Sequence, residues 1–133
     1  MSDTPQYACP VEAALDVIGG KWKGIILYHL LTGEKRFGEL RRLLPGVTQR
    51  MLTLQLRELE EDEVIHREIY RQIPPKVEYS LTEFGRSLEP TIALMSSWGK
   101  QYMGRLAERT GPAERTGSPE ASQVFSPRAR VSP

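Results

Sequence analysis

Gln49, Arg50, Thr53 and Arg57 are the side chains of this sequence best suited to chemistry with a partner. On a helical wheel they share one side, flanked by Leu54, while Leu52, Leu56 and Leu59 recur on the opposite face at spacings of four and three. An arginine can grip guanine through two parallel hydrogen bonds, and a glutamine can read adenine. Both can also hold phosphate, as can a threonine hydroxyl. Thr48, just before them, has the side-chain oxygen that caps a helix. The order of charges points the same way. The first half of Gly46 to Glu63 is basic, and the second carries Glu58, Glu60, Glu61, Asp62 and Glu63. A helix macrodipole favours the reverse, so local stability does not explain the order. A helix whose basic half enters a nucleic-acid groove, with its acidic end left in water, does explain it.

Such a helix needs elements to hold it. Phe37, Leu40 and Leu44 share one side of a preceding helix, with Glu39, Arg41 and Arg42 around them, and Pro45-Gly46 then supplies a stop and a turn. From Lys35 to Arg57 there are six bases (Lys35, Arg36, Arg41, Arg42, Arg50 and Arg57) against the single acid Glu39. The five acids of residues 58 to 63 follow, so the whole-chain charge of +1 conceals a local dipole. Val64 to Tyr70 and Lys76 to Leu81 are rich in β-branched and aromatic residues, and the intervening Arg71 to Pro75 contains two prolines. This predicts a β-hairpin with Arg71 and Lys76 at its tip. Helix, turn, helix and hairpin in series make a winged helix-turn-helix, with the second helix in the major groove and the wing at the backbone or adjacent minor groove. The fold class expected is mainly α with a small β-hairpin wing.

Two helices are predicted before this unit and one after it. Pro10 suits a first helical position, and Val11, Ala14, Leu15 and Ile18 keep helical spacing until Gly19-Gly20. Lys21 to Leu31 resumes it, with Trp22, Ile25, Ile26, Leu30 and Leu31 as core. From Thr82, its expected cap, a long amphipathic helix carries Phe84, Leu88, Ile92, Met95, Tyr102 and Leu106 in phase, with Trp98 on the flank and a kink expected at Pro90. That stripe is longer than a small winged domain can cover, so a partner is expected on Leu88, Ile92, Met95, Trp98, Tyr102 and Leu106. The last residues, Gly111 to Pro133, are rich in Pro, Ser, Gly and Arg and are expected to be disordered.

Composition narrows the function further. A chain of 133 residues has room for one modest domain. Its longest apolar run, Ile25 to Leu31, is interrupted by His29 and too short to span a bilayer, and Met1 to Tyr7 lacks the features of a signal peptide. A cytoplasmic protein without a membrane is expected. One cysteine and two histidines, with neither CxxC nor HExxH, predict no metal and no cofactor. Gly19-Gly20-Lys21 lacks the spacing of a phosphate loop and reads as a helix break. Cys9 with a histidine lacks an orienting residue or oxyanion motif, so no enzyme is expected.

Six blocks in order resemble the HxlR-type winged-helix regulators. They are Cys9-Pro10-Val11, Ile18 to Trp22, Arg36 to Leu40, Thr48 to Leu52, Leu56 to Glu60 and Val77 to Thr82. The resemblance runs from about Cys9 to Leu106, which sets an N-terminal arm at 1–8, the domain at 9–107 and a tail at 108–133. It implies a bacterial transcription regulator of repressor type that binds a near-palindromic operator in double-stranded DNA as a homodimer, with the first and last helices at the dimer interface. It also makes the Thr48 helix the reader, with Thr48, Gln49, Arg50, Thr53 and Arg57 as its DNA-facing residues, and makes Arg71 and Lys76 the wing contacts. Arg36, Arg41 and Arg42 are expected on phosphates, although either of the last two can instead pair with Glu39 or another surface acid. Some members of this family sense oxidants or electrophiles through a cysteine in the block that Cys9 matches. A thiol before Pro10 sits at a helix N-terminus, which favours the thiolate; the other reading is a small apolar residue packing the dimer interface. Redox relatives pair this cysteine with a second, which this chain lacks. Two alternatives stay open: a winged-helix module that binds protein through its acidic run, and a regulator sensing a small molecule without a covalent bond.

Overall fold

The computed structural model describes residues 6–115, with side-chain environments for residues 6–110. The elements in chain order are α1 (Pro10–Ile18), α2 (Lys23–Leu30), β1 (Lys35–Arg36), α3 (Phe37–Leu43), α4 (Gln49–Glu61), β2 (Ile65–Tyr70), β3 (Lys76–Leu81), α5 (Glu83–Arg86) and α6 (Glu89–Arg115). The chain divides into two compact units, 1–89 and 90–133. The first holds the helix-turn-helix and the wing, and the second is built on α6. No helix among the described residues is long and apolar enough to cross a membrane.

In the first unit, apolar faces converge as their spacing requires. Ile26, Leu27 and Leu30 from α2, Leu40 from α3 and Leu44 after it, Leu52, Leu56 and Leu59 from α4, and Val64, Ile65 and Leu81 from the hairpin form the buried core. Each fully buried aliphatic side chain contributes about 1.5–3 kcal/mol relative to exposure, so this set is the main apolar contribution that holds the helices together. The sheet has the order β1-β3-β2 and is antiparallel throughout. Its register pairs Ile65 with Leu81 at the base of the wing and Tyr70 with Lys76 at its tip. β1 pairs Lys35 with Tyr79 and Arg36 with Glu78.

Several local expectations need correction. In the second helix, Leu27 is buried while Ile25 is exposed and Trp22 and Leu31 are half-buried. The helix begins at Lys23, so its core face is Ile26, Leu27 and Leu30. The single helix expected from Thr82 is two. Thr82 caps only α5, its Oγ1 accepting from the Gly85 N–H at 2.9 Å, and the chain turns at Ser87 and Leu88 through bonds to the carbonyls of Phe84 and Gly85. Pro90 therefore produces no kink. It is the second residue of α6, where a missing N–H costs nothing. Gly85 sets how closely α5 docks: a Cβ at this position would lie 2.0 Å from the Val64 carbonyl oxygen, so only glycine fits there. The last helix runs to Arg115, past the boundary expected at residue 107, and the remainder of the tail, 116–133, lies outside the described residues.

Candidate nucleic-acid interface

Helix α4 is fixed at both ends. At its start the Thr48 Oγ1 accepts from the Met51 N–H at 3.0 Å, after a turn in which Gly46 takes φ +91°. At its end the Val64 N–H bonds to the Leu59 carbonyl at 3.2 Å and the Glu63 N–H to the Glu60 carbonyl at 3.0 Å. This is the Schellman arrangement, closed here by a glutamate at φ +66° where glycine is usual. The Thr82 hydroxyl donates to the Glu63 carbonyl at 2.7 Å, tying the same turn to the hairpin's exit.

With its leucines inward, α4 presents Gln49, Arg50, Thr53, Leu54 and Arg57 together along one open, shallow groove. Gln49, Arg50 and Arg57 are exposed, and neither arginine joins an ion pair among the described residues. Thr53 is half-buried, and its hydroxyl donates to the Gln49 carbonyl at 2.8 Å, leaving its lone pairs and methyl for a partner. Thr48 lies at the same end but its oxygen is used as the cap. Leu54 is the residue that wheel reasoning left as a flank. It is exposed within the groove and can meet a thymine methyl, and the signal for it was an apolar side chain on an otherwise polar face.

Around the helix, Arg41 and Arg42 are exposed on α3, and neither pairs with an acid among the described residues. The Glu39 carboxylate instead accepts the Arg36 backbone N–H at 2.8 Å, closing the first turn of α3. Arg36 is exposed, and it borders a polar recess with Arg42, Glu34 and Glu78. On the wing the two expected bases differ. Arg71 is exposed, whereas the Lys76 ammonium is 3.5 Å from Glu78 and 4.6 Å from the centre of the Tyr70 ring. The Glu78 charge, with burial, also holds the Tyr70 phenol above its ordinary pKa. Lys76 is thus engaged within the hairpin and Arg71 is the available cation.

The acidic half of α4 is less idle than expected. Glu58 lies 2.7 Å from the Lys23 ammonium and Glu60 3.4 Å from the Arg67 guanidinium. Cys9 is exposed as the N-cap of α1, and its carbonyl accepts from the N–H groups of Glu12 and Ala13 at 3.0 and 3.4 Å. On the same helix Ile18 is buried, and Val11 and Leu15 are exposed. In the second unit, Met95, Trp98 and Tyr102 are exposed, with the Trp98 and Tyr102 rings stacked at 5.7 Å, while Leu88, at the end of the first unit, and Leu106 are half-buried. Ile92 departs from the expected interface: at 4 % exposure it is already buried in the single chain. Leu94 and Met103, which the stripe omitted, are exposed beside it.

Comparison with known proteins gives consistent matches. The family model described as HxlR-like helix-turn-helix matches residues 17–107, a segment that begins after Cys9. The HTH-type transcriptional regulator YdeP of Bacillus subtilis is 70% identical over 98 residues, which are 74% of this chain and 77% of that protein. The solved structure of the redox regulator HypR in its oxidised form is 68% identical with a TM-score of 0.68, covering 70% of this chain and 96% of that one. The reduced form of the transcriptional regulator YodB from B. subtilis is 37% identical with a TM-score of 0.63, covering 72% of this chain and 95% of that one.

Proposed function

We propose that this protein, which belongs to the HxlR-like helix-turn-helix family of DNA-binding transcriptional regulators, is a cytoplasmic homodimeric repressor that reads a near-palindromic operator with α4. The observation that carries the reading is the alignment of Gln49, Arg50, Thr53, Leu54 and Arg57 along one exposed face of a helix pinned at both ends. Arg50 and Arg57 grip bases or phosphates, Gln49 reads a base, and Leu54 packs on thymine methyls. Arg36, Arg41, Arg42 and Arg71 hold phosphates and set the register. The exposed apolar side chains Val11 and Leu15 of α1, and Leu94, Met95, Trp98, Tyr102 and Met103 of α6, form the dimer contact. A two-fold dimer of this kind presents its two reading helices about 34 Å apart, one turn of DNA.

The effector of this reading is an oxidant or electrophile acting at Cys9, whose exposure permits attack. With one cysteine in the chain, the oxidised product is a disulfide to the symmetry mate's Cys9 or to a small thiol. The neighbours described as redox regulators support this choice over a ligand bound without a covalent bond. The deciding experiment isolates genomic fragments bound by the purified protein and titrates salt on the selected duplex. A slope of log affinity against log salt that corresponds to several phosphates, with a recurring inverted repeat among the fragments, is expected. Recovery of no shared sequence, with binding that is equal on all duplexes, would overturn it.

A further inference from the structure

Two charges in the first unit stand against the dipoles of their own helices, and each is explained by the other. Lys23 is the first residue of α2, at the positive end of that helix, and α2 has no acid in its first turn. Glu58 lies near the negative end of α4, which has no base in its last turn. Lys23 is also drawn largely out of water, its side chain 13 % exposed, which disfavours an ammonium unless it is paired. Its Nζ lies 2.7 Å from the Glu58 Oε1.

The leucine stripe of α4 does not supply what this pair does. Leu52, Leu56 and Leu59 keep one face inward, the Glu60–Arg67 pair ties the helix to the wing, and the Lys23–Glu58 pair adds the one ion-pair restraint between α4 and α2 among the described residues. A rotation of about 20° moves the helix surface, about 5–6 Å from the axis, by about 2 Å, enough to break a hydrogen bond to a base. An ion pair at 2.7 Å weakens as its partners are displaced, and its anchor here is a helix whose Ile26, Leu27 and Leu30 are fully buried. Glu58 directly follows Arg57.

We propose that Lys23 and Glu58 are positioning residues for operator reading: the pair fixes the rotation of α4 on α2, so that Gln49, Arg50 and Arg57 meet the base edges together. The inference rests on α4 being the reader. It requires the pair to act on discrimination between sequences and not on affinity for DNA in general, because neutralising both partners leaves the net charge unchanged.

The test uses the full-length protein, the tightest genomic duplex it selects and a random-sequence duplex of equal length. The variant Lys23→Met/Glu58→Gln, checked for fold by circular dichroism and for assembly by sedimentation, should bind the random duplex as before. Its preference for the selected duplex should fall about tenfold, the size of a lost base contact. The charge swap Lys23→Glu/Glu58→Lys, which restores the pair with both charges in dipole-favoured places, should recover that preference. A purely structural role predicts a lower melting temperature with preference intact in the folded fraction, and that result overturns the proposal. So does a folded charge swap without preference. Arg50→Ala and Arg57→Ala measured in parallel separate the two levels. If they lose preference and the neutral pair does not, only the positioning role fails; if none loses it, α4 is not the reader.

Discussion

Arg50 and Arg57 should make separate contacts on DNA, and the separation can be worked from the helix. They are seven residues apart on α4, which at a rise of about 1.5 Å per residue is roughly 10 Å along the axis. Stacked base pairs are about 3.4 Å apart, so two arginines separated by that length of helix are expected at different bases. Groups that far apart without common partners contribute additively, within about 0.5 kcal/mol. Neither arginine is held in an ion pair among the described residues, so removing one frees no acid to compensate. Each of Arg50→Ala and Arg57→Ala should therefore weaken binding to the selected operator by about 1–3 kcal/mol if its contact is bidentate. The double variant should lose the sum. Fluorescence anisotropy at constant salt, with random duplex as reference, measures all four corners of the cycle. If both single variants bind unchanged, this face does not read DNA. If one variant alone costs as much as both, the two arginines do not act at separate base pairs.

The remaining expectations concern stability, acid and the thiol. Gly85→Ala forces a Cβ against the Val64 carbonyl and should cost about 1–3 kcal/mol in urea unfolding, whereas Glu63→Gly relieves a left-handed residue and should gain up to about 1 kcal/mol. Burial, and then the charge of Lys35, hold the His29 imidazole below its ordinary pKa of 6.5, so the neutral ring is favoured by folding. Its contribution is full above pH 6.5 and is lost as pH falls through the folded value, so His29→Gln should lose less stability than wild type between pH 7.5 and 5. Cys9→Ser should bind DNA normally and fail to respond to diamide or quinone. Operator binding by the wild type that is unchanged by either reagent removes the sensing role.

Where local chemistry decides structure, the sequence was enough. The cap at Thr48, the turn at Pro45-Gly46, the leucine face of α4 and both wing strands needed only spacing and turn residues, and each is found where those signals place it. Elements that depend on distant partners were hidden. The two-residue strand at Lys35 exists because Tyr79 and Glu78 pair with it. The close approach of Gly85 to the Val64 carbonyl is likewise a contact between distant residues, and the turn at Ser87 and Leu88 interrupts a periodic stripe that reads as one helix. The end of α4 lacked a glycine because Glu63 takes the left-handed position and the Thr82 hydroxyl holds its carbonyl. Of the candidate site, the grouping of Gln49, Arg50, Thr53 and Arg57 on one open face of α4 was legible from the wheel. The engagement of Lys76 with Tyr70 and Glu78 was not, because it depends on the pairing of the two wing strands.

The charge order on α4 now has a physical account that bears on the choice of partner. Read alone, the run from Glu58 to Glu63 left a protein-binding module open beside the DNA reading. Two of those acids pair within the domain, Glu58 with Lys23 and Glu60 with Arg67, and the helix end is closed through backbone bonds of Glu63 and Val64. The cations that these acids meet belong to α2 and to the wing, so the acidic half ties the helix to its own domain. Arg50 and Arg57 carry no such internal tie among the described residues, and Arg41, Arg42 and Arg71 are likewise outward. The Glu58 and Glu60 pairs each take up one acid and one base, so the net charge of +1 is unchanged by them and the difference lies in where the unpaired arginines stand. Arg41, Arg42, Arg50, Arg57 and Arg71 are exposed and unpaired among the described residues, an arrangement that suits a polyanion with readable edges.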